Sequence, residues 1–302
     1  MILVVLAPLP FGLVYELSQA ILACVVSGLV LGYSVIKISR NQRLEVGLGL
    51  ICAAGLYLEG FLQELRRGRT GRDKILHLTQ QAFVRGAPLL ACILILLTAL
   101  FLTHSRAGVT ASLTALLVLV VFMALLTRMG TRVYQVLTIT VLTAAMTVFF
   151  LSGDGWLDRL TATDVEREQR VRVYEQTWEA AKQSPWTGYG LGNYERTFSM
   201  FADEQTYNWI MAHNDWLEMI FELGIPMAAL WFLVLGGLGV RCLAGFFRRR
   251  RDHVYPLAGF AACMLVGLHC LVDFSLQIPA VAVVFAVMLG VGVAQGWSSV
   301  ED

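Results

Sequence analysis

The stretch from Met219 to Val240, MIFELGIPMAALWFLVLGGLGV, decides the fold. Apart from Glu222 it carries no charge, and an apolar helix of this length crosses the roughly 30 Å hydrocarbon layer of a bilayer. A segment apolar on every side has lipid or protein around it, not water. Arg241 and then the run Arg248-Arg249-Arg250-Arg251 follow it. Working outward, comparable segments fall at about Met1–Val14, Ser18–Lys37, Val46–Leu62, Gly86–Thr103, Ala107–Thr127, Val133–Leu151, Pro256–Phe274 and Pro279–Trp297. The first has no basic leader and no small-residue cleavage site, so it reads as a membrane segment rather than a signal peptide. Of the 302 residues 57% are hydrophobic and 15% charged; soluble domains carry about 25% charged residues, which excludes a soluble globular domain. Backbone groups in lipid must be satisfied within the segment, so the spans are helices. The expected fold is all-α: a polytopic membrane helix bundle with about 8–9 spans and one large loop containing amphipathic helices.

Arginine and lysine in short loops favour the cytoplasm. With Arg248–Arg251 placed inside, Ser152–Ala212 is outside, the Arg128/Arg132 turn inside, His104-Ser105-Arg106 outside and Arg66–Arg85 inside. One stretch disagrees. Lys37–Arg43 is also basic, yet a full crossing by Val46–Leu62 puts it outside, so that segment is either re-entrant or interfacial, or a span is missing here.

Ser152–Ala212 holds ten carboxylates and six basic residues, the most charged loop in the chain. A connection this long is functional or disordered. Within it, Thr163-Asp164-Val165-Glu166 reads as a capping box that starts a helix. Val171, Tyr174, Trp178 and Ala181 recur at helical spacing as one apolar stripe, bordered by Arg170. Ser184-Pro185 stops that helix. The segment Thr187-Gly188-Tyr189-Gly190-Leu191-Gly192-Asn193-Tyr194 follows, with glycines that permit tight turns. Its amides at Tyr189, Gly190 and Asn193 are also candidates for cradling a phosphate, but no strand precedes them and no Walker lysine follows, which favours a structural turn.

His213-Asn214-Asp215-Trp216-Leu217-Glu218 opens the deciding helix, with Asn214 or Asp215 as N-cap. Asp215, Glu218 and Glu222 share one face. Glu222 lies nearly two turns down, where an ionisable group is costly and is a functional candidate; the alternative is that Glu218 and Glu222 pair with arginines to hold the bundle. Arg106 interrupts two apolar helices almost without a loop. On the outer side the positive-inside bias does not account for it, and its guanidinium fork suits an anionic headgroup or phosphate. His269 and Asp273, four residues apart, are half of a metal site at most, and a hydrogen-bonded pair is the better reading. No metal spacing occurs among the cysteines, which read as packing residues.

Taken in order, these residues resemble the O-antigen ligase and O-antigen polymerase superfamily, the Wzy C-terminal domain family. The resemblance rests on Thr103–Gly108, Arg170 with Tyr174, Ser184–Tyr194, Ala212–Glu218 with Glu222–Pro226, and Val272–Phe274. It covers roughly residues 86–302, with the loop 152–212 inside that membrane domain, and leaves residues 1–85 as a shorter N-terminal half than the family implies. What the resemblance implies is a glycosyltransferase of the bacterial inner membrane working at its periplasmic face. Such an enzyme moves a glycan from an undecaprenyl-diphosphate carrier to the hydroxyl of an acceptor glycolipid, glycan or protein, without nucleotide sugar, metal or other cofactor. Arg106 and Arg170 match the family's essential arginines and His213 its essential histidine. His213 is then the general base toward the acceptor hydroxyl or a hydrogen-bond donor to the diphosphate, with Glu218 or Glu222 orienting it or serving as base. Asn214, Asp215, His269 and Asp273 are expected in support. Nothing points to nucleic acid. The alternatives are a membrane transporter of a small solute, which needs polar residues through the mid-membrane, and a catalytically degenerate envelope scaffold.

Overall fold

A computed structural model describes residues 43–66, 87–102, 105–127, 156–249 and 252–297. The described residues are all-α. Helices α1 (Arg43–Arg66), α2 (Ala87–Leu102) and α3 (Arg106–Thr127) precede the polar segment, which supplies α4 (Trp156–Ala181) and the short α5 (Tyr194–Phe198). Then come α6 (Asp215–Arg248), α7 (Val254–His269), a 3₁₀ turn at Ser275–Gln277, and α8 (Pro279–Ala294). Among the described residues α6 is the helix long and apolar enough to cross a membrane; shorter apolar helices occupy Val46–Gly60, Ala87–Leu100, Ala107–Met123, Val254–His269 and Pro279–Ala294. The expected segments Met1–Val14, Ser18–Lys37 and Val133–Leu151 lie outside the described residues.

Helix directions follow from what the helices touch. A Cβ at Gly47 would meet Ser112 and Leu265, and one at Gly55 would meet Val254 and Leu119. Hence α1 and α3 run parallel and α7 runs against both. Phe122, late in α3, meets Phe246 and Phe247 at the end of α6 and Phe260 near the start of α7, with ring centroids 5.8, 5.9 and 6.3 Å apart. Gly259 and Gly292 face one another across α7 and α8, where a Cβ on Gly259 would lie 3.0 Å from the Gly292 Cα. Small residues here let the two backbones approach closely. Gly245 of α6 meets Gly296 just past α8 in the same way.

The bundle therefore has a near end and a far end. The near end collects the starts of α1, α3, α6 and α8 and the end of α7, while Arg66 and Arg248 mark the far end. This alternation is the one that loop charge predicts from Arg66 onward. It also answers how Val46–Leu62 runs: α1 is a continuous helix with Leu48, Leu50 and Ile51 fully buried among its neighbours, and Arg43 starts it at the near end.

The deciding helix is broken. Gly224 is non-helical (φ 73, ψ 166) and Pro226 follows it. Trp216 and Phe232 are sixteen positions apart, about 24 Å along a straight helix, yet their rings stack at 4.1 Å. The limb before Gly224 thus folds back sharply against the limb after it. Glu222 sits on the short limb above the break, not two turns down a straight span as expected.

A second small core caps the near end: Val173, Ala180, Ala181, Tyr194, Phe198, Ala212 and Phe221. Two expectations are corrected here. Helix α4 begins at Trp156 and passes through Thr163, so it starts seven residues before the expected capping box. Its buried face is Val173, Thr177, Ala180 and Ala181, whereas Val171 and Trp178 are exposed and Tyr174 lies at the edge. The expected stripe is rotated because Thr177, a polar residue, is buried through bonds to the Val173 carbonyl (2.6 Å) and the Tyr194 hydroxyl (2.7 Å).

Candidate active site at the near end

His213 stands at the junction of cap and bundle. Its backbone is left-handed, with φ 52, an uncommon state for a non-glycine residue and one that surrounding contacts must hold. The contacts are present. The Tyr174 hydroxyl donates to the His213 carbonyl (3.0 Å). Asn214, immediately after, caps α6 by accepting from the Leu217 N–H (3.1 Å). The Ala212 N–H, immediately before, donates to Glu218 Oε2 (2.9 Å). The imidazole lies between the rings of Trp209 and Phe274, each near edge-on with centroids 5.3 and 5.0 Å away. Its Nδ1 is 3.5 Å from Asp273 Oδ1, and the ring is one third exposed (33%), which leaves an approach for a substrate.

The expected His269–Asp273 pair is a different pairing. Asp273 faces His213 across the gap between α7 and the cap, and also accepts from the Phe274 N–H (3.0 Å). His269, buried, places Nδ1 2.7 Å from the Ser275 hydroxyl. The reason is that α7 ends at His269, so the helical i to i+4 relation between the two residues does not exist.

Arg170 lies one turn before Tyr174 on α4, half-buried. Burial pushes the Tyr174 phenol up; the Arg170 charge partly offsets this and the Asp273 charge adds to it. Arg170, Tyr174, Asp273 and His213 are thus one neighbourhood. Among the described residues Arg170 makes no ion pair, whereas Arg172 reaches Asp203 at 3.7 Å. Arg106 begins α3, whose start Ser105 caps by accepting from the Gly108 N–H (3.1 Å). The fold brings that helix start to the near end of the bundle, the same end as His213.

The three carboxylates of α6 are buried and each holds backbone. Asp215 accepts from the Leu276 N–H (2.9 Å), the Cys270 thiol (3.0 Å) and Gln277 Nε2 (3.3 Å), binding the 270–277 turn. Glu218 holds Ala212, and Glu222 accepts from the Tyr194 N–H (3.0 Å). Among the described residues neither glutamate forms the expected arginine pair: each instead accepts from a backbone amide, which offsets part of the desolvation cost of burying a carboxylate.

The glycine-rich turn docks on the helix break. Pro226 has no N–H, so the Glu222 carbonyl loses its helical donor; the Gly190 N–H replaces it at 2.8 Å. The Tyr189 N–H takes the Phe221 carbonyl (3.1 Å), while the Ile225 N–H turns away to the Pro185 carbonyl (2.8 Å). Gly188 (φ 61) packs on the Glu222 carbonyl so closely that no Cβ fits. Asn193 is likewise engaged, its amide donating to the Gly190 carbonyl (3.2 Å) and Nδ2 to the Tyr189 carbonyl (3.3 Å). The amides of Tyr189, Gly190 and Asn193 are spent inside the protein in this arrangement, which corrects the phosphate-cradle expectation for them in favour of the structural turn.

Trp209, Ser275 and Gln277 carry no mark in the sequence. Their signal was proximity in the chain to His213 and Asp273, which acquires meaning only once the 270–277 turn is known to meet the cap. No group of three or more His, Cys, Asp or Glu poised for a metal occurs among the described residues.

The cap thus gathers a histidine, a carboxylate and an arginine with no ion pair among the described residues at one end of the helix bundle. Residues 91–232 match the family model described as O-Antigen ligase (Wzy_C). The chain is also 28% identical over 126 residues to a "General O-oligosaccharyltransferase" of Acinetobacter baylyi (strain ATCC 33305 / BD413 / ADP1), covering 39% of this chain and 21% of that protein. The chain thus matches about a fifth of its relative's length.

Proposed function

We propose that this chain is a multi-pass membrane glycosyltransferase that moves a glycan from undecaprenyl diphosphate to an acceptor hydroxyl on a glycolipid, glycan or protein, at the periplasmic face of a bacterial inner membrane. Residues 86–302 would form the ligase-like domain, residues 1–85 its N-terminal helices, with about 8–9 spans in all. The observation that carries the reading is the His213–Asp273 pair beside Arg170, with His213 and Arg170 inside the region 91–232 that matches the O-antigen ligase family model.

The chemistry suits these groups. The acceptor oxygen attacks the anomeric carbon of the donor sugar, and the bond from that carbon to the diphosphate oxygen breaks. The acceptor proton passes to His213 Nε2, while Asp273 at Nδ1 orients the ring and favours the imidazolium that forms. The departing lipid diphosphate gains one negative charge, which Arg170 and Arg106 stabilise. Tyr174 and Glu218 hold His213 through the backbone on either side. Glu222 and the glycine turn keep the cap seated on the break in α6.

The test supplies purified protein with an undecaprenyl-diphosphate oligosaccharide and candidate acceptors, beside Arg106→Ala and Arg170→Ala. Release of undecaprenyl diphosphate that is lost in both variants supports the reading. No release, with donor and acceptors validated on an active relative, contradicts it in favour of a transporter or a non-catalytic scaffold.

A further inference from the structure

Trp186 is the most exposed tryptophan among the described residues, at 77%, and it belongs to the charged segment that loop charge places outside the membrane. Its backbone is fixed. A Cβ on Gly224 would lie 2.7 Å from the Trp186 carbonyl group, and the neighbouring Pro185 carbonyl accepts from Ile225. Trp186 therefore sits directly on the top of the long limb of α6. That limb is the one whose apolar side chains are bare: Met227, Leu230, Leu233 and Val234 are all at least half exposed, as lipid contact requires. Trp186 continues this apolar surface past the helix break.

The far end supplies the scale. Gly245 of α6 touches Gly296, next to the exposed Trp297, and Arg241 lies over the Trp297 ring at 4.2 Å. From Ile225 to Gly245 the limb rises about 30 Å, the thickness of a bilayer's hydrocarbon layer. Two exposed tryptophans thus bracket a slab of membrane thickness, and indole rings concentrate at the headgroup level on both faces of a bilayer.

We infer that Trp186 is a membrane-interface anchor: the Ser184–Gly188 turn inserts its indole into the headgroup–acyl boundary of the leaflet at the near end, and so sets the height of the cap over the lipid. The partner is the lipid surface itself. This requires that α6 spans a bilayer and is independent of whether the cap transfers glycans. It assigns the turn a role that the hydrogen bonds to Phe221 and Glu222 leave unexplained, since those involve backbone and would tolerate any side chain at position 186. A site that takes a lipid-borne diphosphate needs such a fixed height, because the diphosphate sits at the headgroup plane.

The test places nitroxide labels at Trp186→Cys and, as an aqueous reference on α4, at Glu179→Cys, in full-length chain with the six native cysteines replaced, reconstituted in phosphatidylethanolamine–phosphatidylglycerol vesicles. The expected result is a severalfold higher ratio of oxygen to nickel-complex accessibility at 186 than at 179. Equal, nickel-dominated ratios at both positions would overturn the proposal. A second measurement avoids the cysteine replacements. In otherwise unaltered protein, Trp186→Phe should remove emission that shallow-brominated lipids quench and aqueous acrylamide does not. Loss of acrylamide-quenched emission instead would overturn it equally.

Discussion

The two ends of the bundle use the same residue types to opposite effect. At the far end Arg249 donates to the Gln295 carbonyl at 2.7 Å and lies 3.6 Å from Asp252, with both side chains largely buried (10% and 18% exposed). His253 places Nδ1 2.9 Å from the Phe246 carbonyl. Arginine, carboxylate and histidine there are consumed in tying α6 to α7 and α8. At the near end Arg170 has no ion pair among the described residues, and His213 keeps a third of its ring open opposite Asp273. Each end has a left-handed non-glycine residue, Asp252 (φ 58) and His213 (φ 52), so strain alone does not mark a site. What separates the far-end clamp from the candidate site is unspent polarity: a cation with no ion pair among the described residues, and a ring with one nitrogen near a carboxylate and a third of its surface open.

Substitutions can break or sharpen this contrast. The largest effect is expected for His213→Ala, which should lower glycan transfer by at least about 100-fold, the usual contribution of a positioned acid–base group, with no comparable change in melting temperature. Arg170→Lys should come next. It keeps the charge but loses the fork geometry, and a drop of about ten-fold or more in turnover is expected for a planar diphosphate contact. Arg249→Ala should act the other way, lowering stability by roughly 1–3 kcal/mol through lost charge-assisted hydrogen bonds while the rate per folded molecule stays within about two-fold of the parent; thermal unfolding and active-fraction titration separate the two quantities.

Gly188→Ala tests the cap's seat. The new Cβ meets the Glu222 carbonyl and the residue is left-handed, so a loss of about 2 kcal/mol or more is expected, read as earlier proteolysis of the 182–212 segment. The smallest effect concerns acid. The Thr206 hydroxyl, with the Gln205 and Thr206 amides, holds the Asp203 carboxyl below its ordinary range. Its contribution is therefore fully present above the unfolded carboxylate value near 4 and is lost as pH falls through the lower folded value. Thr206→Val should remove part of that acid sensitivity in the 203–207 turn, measurable by amide exchange between about pH 2 and 5.

Much of this was legible in the chain. Apolar runs located the bundle helices, and loop charge ordered their directions from Arg66 onward. The family blocks pointed to His213, Arg170 and Arg106, which the fold carries to one end. Other features were hidden for identifiable reasons. Glycine spacing in Gly188–Gly192 left an anion cradle open beside the favoured structural turn because backbone amides carry no label for their partner; the break at Gly224–Pro226 shows that Phe221 and Glu222 accept from Tyr189 and Gly190. The partner of Asp273 was misread because i to i+4 logic assumes a helix that in fact stops at His269. The roles of Glu218 and Glu222 were out of reach for the same cause, since their partners, Ala212 and Tyr194, are backbone groups brought close by folding. The stripe on α4 was rotated by a buried Thr177, which polarity placed on the wrong face.

The most direct measurement follows undecaprenyl-diphosphate release in lipid nanodiscs by the parent chain, His213→Ala and Arg249→Ala, each normalised to folded protein. The account predicts release by the parent, none above background for His213→Ala at unchanged melting temperature, and near-parental release per folded molecule for Arg249→Ala. Release that persists in His213→Ala, or that vanishes in a fully folded Arg249→Ala, would contradict the assignment of chemistry to the near end and clamping to the far end.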